Sequence, residues 1–154
     1  MDLGDLLAPN GVIPALKAKS KKLALQELAQ KASEITGIDG REIFDTLLQR
    51  ERLGSTGLGR GIAIPHVKFR SVKSIVCLFA RLEEPIPFDS HDNEPVDIIF
   101  LLLAPEHASG DHLKALARIS RLVRDSATLE RLRTAPDAEA LRKVLTSPAT
   151  SHAA

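Results

Sequence analysis

A chain of 154 residues, 44% of them hydrophobic, is long enough to bury the core of one domain. Its 21 Lys and Arg against 20 Asp and Glu leave a net charge of +1, which gives no global attraction to nucleic acid or to a membrane surface. Five Phe with no Trp and no Tyr argue against a surface on which bases or sugars stack.

The chain opens on MDLGDLLAPNG, which carries acid where a leader would carry base and has no long apolar stretch behind it, so no signal peptide is expected. Leu3, Leu6 and Leu7 read as an amphipathic turn ended by Pro9, and Val12 and Ile13 as a first short strand. Ser20 is a good N-cap, and Leu25, Leu28, Ala29, Ala32 and Ile35 recur at helical spacing up to Gly37, which closes the helix. A second helix is predicted over Gly40 to Arg50, with Ile43, Phe44, Leu47 and Leu48 inward. A glycine-rich loop follows, then the β-favouring run Ile62-Ala63-Ile64, which stops at Pro65 and leaves His66 at its end.

Ser74 to Leu82 reads as a mostly buried strand that holds the single cysteine, Cys77, as a buried small hydrophobe. With one cysteine no intrachain disulfide can form, which suits a reducing cytosol. Pro85 and Pro87 force a connection to VDIIFLLLA, Val96 to Ala104, the strongest strand signal and a central strand covered on both faces. Without a helix between them, these two strands are free to pair antiparallel. Ser109 or Asp111 then caps a helix running to about Val123. Two short helices hold Leu129 with Leu132 and, behind an Asp137 cap, Leu141 with Val144 and Leu145. The expected architecture is α/β, a mixed β-sheet flanked by helices, as one domain over 3–147 with a flexible tail at 148–154. No apolar run approaches the length of a membrane span, and a cytoplasmic protein is expected.

The chemistry gathers between Leu47 and Arg70. Gly57, Gly59 and Gly61 at every second position leave backbone against which an anion can lie. A lone histidine in a loop is more often a surface residue than a nucleophile, but His66 has Pro65 before it, the glycines beside it and arginines nearby. Arg50 and Arg52 stand at a helix C-terminus, where a cation meets the dipole; that reading suits Arg52, while Arg50 offers a guanidinium fork for phosphate oxygens. Arg60 and Lys68 read as exposed cations within reach of a partner's anionic surface. His112, in the first turn of its helix, is either a surface histidine or a second group steadying an anion held at His66, and spacing alone does not choose. His91, His107 and His152 fall in a loop, a polar connection and the tail, and Ser55 and Thr56 are hydroxyl donors or plain loop residues. No HxxxH or CxxC pair points to a metal, and the glycine pattern is neither GxGxxG nor a P-loop.

The succession GSTGLGRGIAIPH, a strand, EPVDIIFLLLAP and DHLKALARISRLVRD resembles the type-2 enzyme IIA domains of the phosphoenolpyruvate-dependent phosphotransferase system (PTS), the mannitol/fructose class, over roughly Leu3 to Leu145. Within that class it is most similar to the nitrogen-regulatory enzymes IIA. The resemblance implies the family's mixed sheet with flanking helices. It implies His66 as the phosphorylated histidine, Arg50, in the LxRE segment Leu48-Gln49-Arg50-Glu51, as its supporting arginine, and His112 as the second active-site histidine. It further implies an HPr-like phosphocarrier (NPr in the nitrogen branch) as donor, and in-line attack by neutral His66. Arg50, His112 and loop N–H groups would stabilise the charge. No cofactor or metal is implied, and the regulated targets would be proteins such as transporters or sensor kinases. Two alternatives remain: a sugar-specific enzyme IIA passing phosphate to a IIB permease component, and a binding module without phosphotransfer. Val67 motivates the second, because the family usually has glycine there; a β-branched residue adds bulk beside the imidazole, while Lys68 follows as in the usual HGK.

Overall fold

The computed structural model describes residues 3–107 and 110–147. Helix α1 (Leu3–Leu6) passes directly into strand β1 (Leu7–Leu16), far longer than the two-residue strand expected at Val12 and Ile13. Helix α2 (Lys21–Thr36) begins where Ser20 accepts a hydrogen bond from the Leu23 amide and ends at Gly37, whose φ of 81° places it in the left-handed region. Helix α3 (Gly40–Leu53) runs one turn beyond the expected Arg50, so Arg52 and Leu53 complete its last turn.

The glycine-rich stretch is not an open loop. Strands β2 (Gly57–Gly59) and β3 (Ile62–Ala63) pair antiparallel across the two-residue turn Arg60-Gly61. Both turn residues have positive φ, 59° and 85°, as a hairpin turn of the I′ kind requires. Strand β4 (His66–Phe69) follows after Ile64 and Pro65. His66 therefore opens a strand instead of ending one. Strand β5 (Val76–Ile86) continues past Leu82 through Pro85, and β6 (Val96–Pro105) follows. Helix α4 (Asp111–Arg124) has Gly110 at its N-cap, with no side-chain cap bond, so Asp111, one of the two residues expected to cap it, is instead the first residue of the helix; the other, Ser109, lies outside the described residues. Helices α5 (Ser126–Thr134) and α6 (Ala138–Leu145) complete the order, with the Ala140 amide donating to Asp137 Oδ1 at 2.8 Å. The tail expected at 148–154, with His152, lies outside the described residues.

The sheet order is β1-β5-β6-β3-β2, with β4 also beside β6. As the sequence suggests, β5 and β6 pair antiparallel; β1 runs parallel to β5, and β3 and β4 run parallel to β6. Strands β3 and β4 are two pieces of one line along β6, broken at Pro65, which has no N–H to donate. Strand β1 tolerates Pro9 and Pro14 because it is an edge. Its outward carbonyls are capped: Arg142 donates to Ala8 O and Pro9 O at 2.7 and 2.9 Å, and Arg81 to Pro14 O at 3.0 Å.

Strand β6 is central with both faces covered. Ile99, Leu101 and Leu103 join Leu25, Leu28, Ile43 and Leu47 of α2 and α3 in one cluster. Ile98, Phe100, Leu102 and Ala104 join Ala115, Ile119, Leu129, Leu132 and Leu141 on the opposite face. Phe79 meets Phe100 edge to face, with ring centroids 5.1 Å apart. Among the described residues no helix is long and apolar enough to cross a membrane.

Cys77 is fully buried, and burial pushes its thiol up to about 12. At mildly alkaline pH it stays protonated and shielded, so iodoacetamide should leave the native protein unlabelled and modify it only as fast as the sheet opens. Rapid labelling without denaturant, read by intact mass, would show that β5 opens locally.

Candidate functional site

Three of the predicted residues come together. A cleft of about 750 Å³ is bordered by Arg50, Arg52 and Leu53 of α3, His66 and Lys68 of β4, and His112 of α4, over a floor that includes Leu102 and Ala104. Each side chain arrives by a different route. The parallel register sets His66 beside Leu102, so the imidazole lies on the sheet face covered by α4. The extra turn of α3 brings its basic C-terminus to the rim. His112 is the second residue of α4, in the turn whose backbone N–H groups have no intrahelical partner.

The tautomer of His66 follows from one contact. Its Nδ1 lies 2.9 Å from the Ile64 carbonyl oxygen. A carbonyl only accepts, so Nδ1 carries the ring proton and Nε2 keeps the lone pair. That pattern suits a neutral imidazole acting as a nucleophile through Nε2. Arg50 donates one N–H to Gly54 O at 2.9 Å, which pins one arm of the guanidinium and leaves the rest of the fork for an oxyanion. Exposed Leu53, in the last turn of α3, adds apolar surface to this cleft.

The glycine-rich stretch plays another part than the one expected of it. Its amides are used internally: Thr56 N–H goes to Glu51, Gly57 N–H to Ser55 Oγ, and Arg60 N–H to Asp92 Oδ2 at 2.9 Å. The N–H groups of Arg60 and Glu94 hold the Asp92 carboxyl below its usual range. The Thr56, Gly57 and Arg60 amides already have acceptors and no residue of the glycine-rich stretch lines the cleft, so of the groups expected to stabilise charge Arg50 and His112 border it. Ser55 and Thr56 turn to Phe88 O and Glu51. Arg60 reaches Arg124 O and Ser126 Oγ. His91 and His107 are exposed and border no part of this cleft. Among the described residues no group of three or more His, Cys, Asp or Glu is placed to hold a metal ion.

Val67 also departs from expectation. It borders the cleft, but its side chain is 7% exposed and belongs to the cluster of Leu47, Leu101 and Leu103, on the sheet face opposite the imidazole. Its bulk is core volume more than bulk beside His66. Val67→Gly should therefore cost about 2–3 kcal/mol of stability, from lost burial and added backbone entropy, read as a lower urea midpoint. The rate at which His66 reacts should change by less than about twofold, since the imidazole contacts stay in place; a large change in rate with an unchanged midpoint would show that Val67 acts on the imidazole directly.

Glu51 is the residue that the sequence reading passed over. Next to Arg50, it is buried and bonded to Thr56 and Lys21. The only local signal was a carboxylate in the last turn of a helix, where the dipole disfavours it.

A family model described as "Phosphoenolpyruvate-dependent sugar phosphotransferase system, EIIA 2" matches residues 5–147. The chain is 56% identical over 148 residues to a nitrogen regulatory protein of Bradyrhizobium diazoefficiens, covering 96% of this chain and 97% of that one. The crystal structure of nitrogen regulatory protein IIA-Ntr from Neisseria meningitidis superposes with a TM-score of 0.88 at 36% identity, covering 94% and 99% of the two chains. Enzyme IIA for mannitol from Escherichia coli, solved in complex with phosphorylated enzyme IIB, shares the fold with a TM-score of 0.75 at 19% identity, over 91% of this chain and 98% of that one. The sheet, the cleft and these likenesses agree, and the chain belongs to the EIIA 2 family of the phosphoenolpyruvate-dependent sugar phosphotransferase system, as a phosphotransferase component of it.

Proposed function

We propose that this protein is a cytoplasmic phosphocarrier of the nitrogen branch, taking a phosphoryl group onto His66 from an HPr-like donor (NPr) and regulating partner proteins by its phosphorylation state. The observation that carries the reading is the meeting of His66, Arg50 and His112 in one cleft, with His66 Nδ1 bonded to Ile64 O. In the transfer, Nε2 attacks phosphorus in line, the N–P bond to the donor imidazole breaks as the N–P bond to His66 forms, and the Nδ1 proton stays on the Ile64 carbonyl bond. Arg50 and His112 offset the charge on the equatorial oxygens. The nitrogen branch is supported by relatives named as nitrogen regulatory proteins that match along nearly their whole length.

The test is intact-mass analysis after incubation with phosphoenolpyruvate, enzyme I and an HPr-like carrier. One acid-labile phosphoryl group is expected. No gain with several carriers would overturn the reading in favour of a binding module, and onward transfer to a fructose- or mannitol-class IIB domain would move the protein to the sugar branch.

A further inference from the structure

Glu51 lies next to Arg50 in the sequence but is turned into the protein, its side chain 3% exposed. Both carboxylate oxygens accept from the Thr56 amide at 3.1 Å, and Oε1 also accepts from the Thr56 hydroxyl at 3.1 Å. Lys21 Nζ, at the start of α2, closes on the same oxygen at 3.1 Å. Lys21 sits in turn over the Phe88 ring, 4.6 Å from its centroid, while Ser55 Oγ donates to Phe88 O at 2.7 Å. One carboxylate thus joins α2, the 54–56 turn and the segment around Phe88.

From this anchor one line runs to the cleft. The Ile64 amide donates to Thr56 O at 3.0 Å, and Ile64 O accepts from His66 Nδ1 at 2.9 Å. The Arg50 side is separate from the carboxylate: the Gly54 amide donates to the main-chain oxygen of Glu51 at 3.2 Å, and Gly54 O accepts from Arg50 Nη1 at 2.9 Å. The peptide segment that orients His66 is therefore fastened to the Glu51 carboxylate, while the one that holds Arg50 is tied only to the main chain of residue 51. A buried ion pair is a poor source of stability, because desolvation offsets the attraction. It is a good source of fixed geometry, since Thr56 has its N–H and its hydroxyl tied to one rigid acceptor.

We infer that Glu51 is a positioning residue for the cleft: through Thr56 and Ile64 its carboxylate holds His66 with the proton on Nδ1. The kinetic part of this inference rests on the phosphocarrier reading; the tautomer part does not. Glu51→Gln keeps the size but replaces one acceptor oxygen with an NH2 group that faces other donors.

The test compares wild type, Glu51→Gln and Thr56→Val, which deletes only the hydroxyl. Nitrogen-15 shifts of the His66 ring at alkaline pH report the tautomer, with His66→Ala assigning the signals. Single-turnover phosphoryl acceptance from a phosphorylated HPr-like carrier reports the rate. Wild type should be almost wholly the Nδ1–H form. Glu51→Gln should become a mixture of tautomers and accept phosphoryl about tenfold more slowly at saturating carrier, as expected of a misplaced reacting group. Its half-saturating carrier concentration should not move, because Glu51 has no surface for the carrier to touch. Thr56→Val should shift both readouts the same way by less. Wild-type tautomer and rate in both variants would overturn the inference, as would a Glu51→Gln protein that fails to fold beside a Thr56→Val protein with wild-type ring shifts and rate. Should the wild-type chain accept no phosphoryl group, the phosphocarrier reading fails, and the ring shifts still decide the role of Glu51.

Discussion

Changing His66 to alanine should abolish phosphoryl acceptance and leave a folded protein. The expected loss is complete, because the change removes the Nε2 lone pair that the proposed transfer uses to form the N–P bond, and neither Arg50 nor the surrounding leucines can stand in for it. The fold should survive for a structural reason. His66 is only half-buried, its one assigned side-chain bond goes to Ile64 two residues away, and β4 is held to β6 by backbone pairing that alanine keeps. The stability cost should be about 1 kcal/mol, that of one hydrogen bond. Intact mass reads the first part and a urea melt the second. Residual acid-labile phosphate on the variant would place the acceptor elsewhere, with His112 the first residue to examine.

Arg50→Ala should slow acceptance by about 10²–10³-fold, the usual cost of losing one fixed donor from a site where oxyanion charge develops. Its assigned structural bond is to the half-turn at Gly54, so the stability loss should stay near 1 kcal/mol. Arg50→Lys should recover only part of the rate: an ammonium supplies the charge but cannot hold Gly54 O and an oxyanion in one planar fork. Single-turnover rates at saturating donor separate these variants. A wild-type rate in Arg50→Ala would reduce the residue to a cation at a helix end.

The residues at the cleft and most of the elements were legible in the sequence. Ser20, Gly37 and Asp137 mark helix ends through contacts three or four residues away, and a nearly unbroken apolar run such as Val96 to Ala104 has to be covered on both faces. These are local signals, carried by neighbours in the chain. The family resemblance carried by the IPH, DHL and LxRE segments, and not spacing alone, pointed to His66, His112 and Arg50, without knowledge of how the three would meet.

What the tertiary structure decided depends on partners far apart in sequence. The glycine run reads as open loop until β3 lies along β6 and Asp92 receives the Arg60 amide, 32 residues distant. Strand β1 runs through two prolines because it is an edge whose carbonyls meet Arg142 and Arg81, a fact invisible in the residues near Pro9. Val67 looks like bulk beside the imidazole until strand alternation sends it to the other face. The proton position on His66 and the burial of Glu51 belong to the same group. The hairpin brings the Ile64 amide back to Thr56 O and so sets the carbonyl that meets His66, and Lys21, 30 residues earlier, closes on Glu51 only when α2 packs against α3. The sequence by itself determined which groups are present and where the helices begin and end, because those are set by short-range geometry; which atoms the groups turn toward each other was set by sheet pairing, because only there do distant backbone donors and acceptors find their partners.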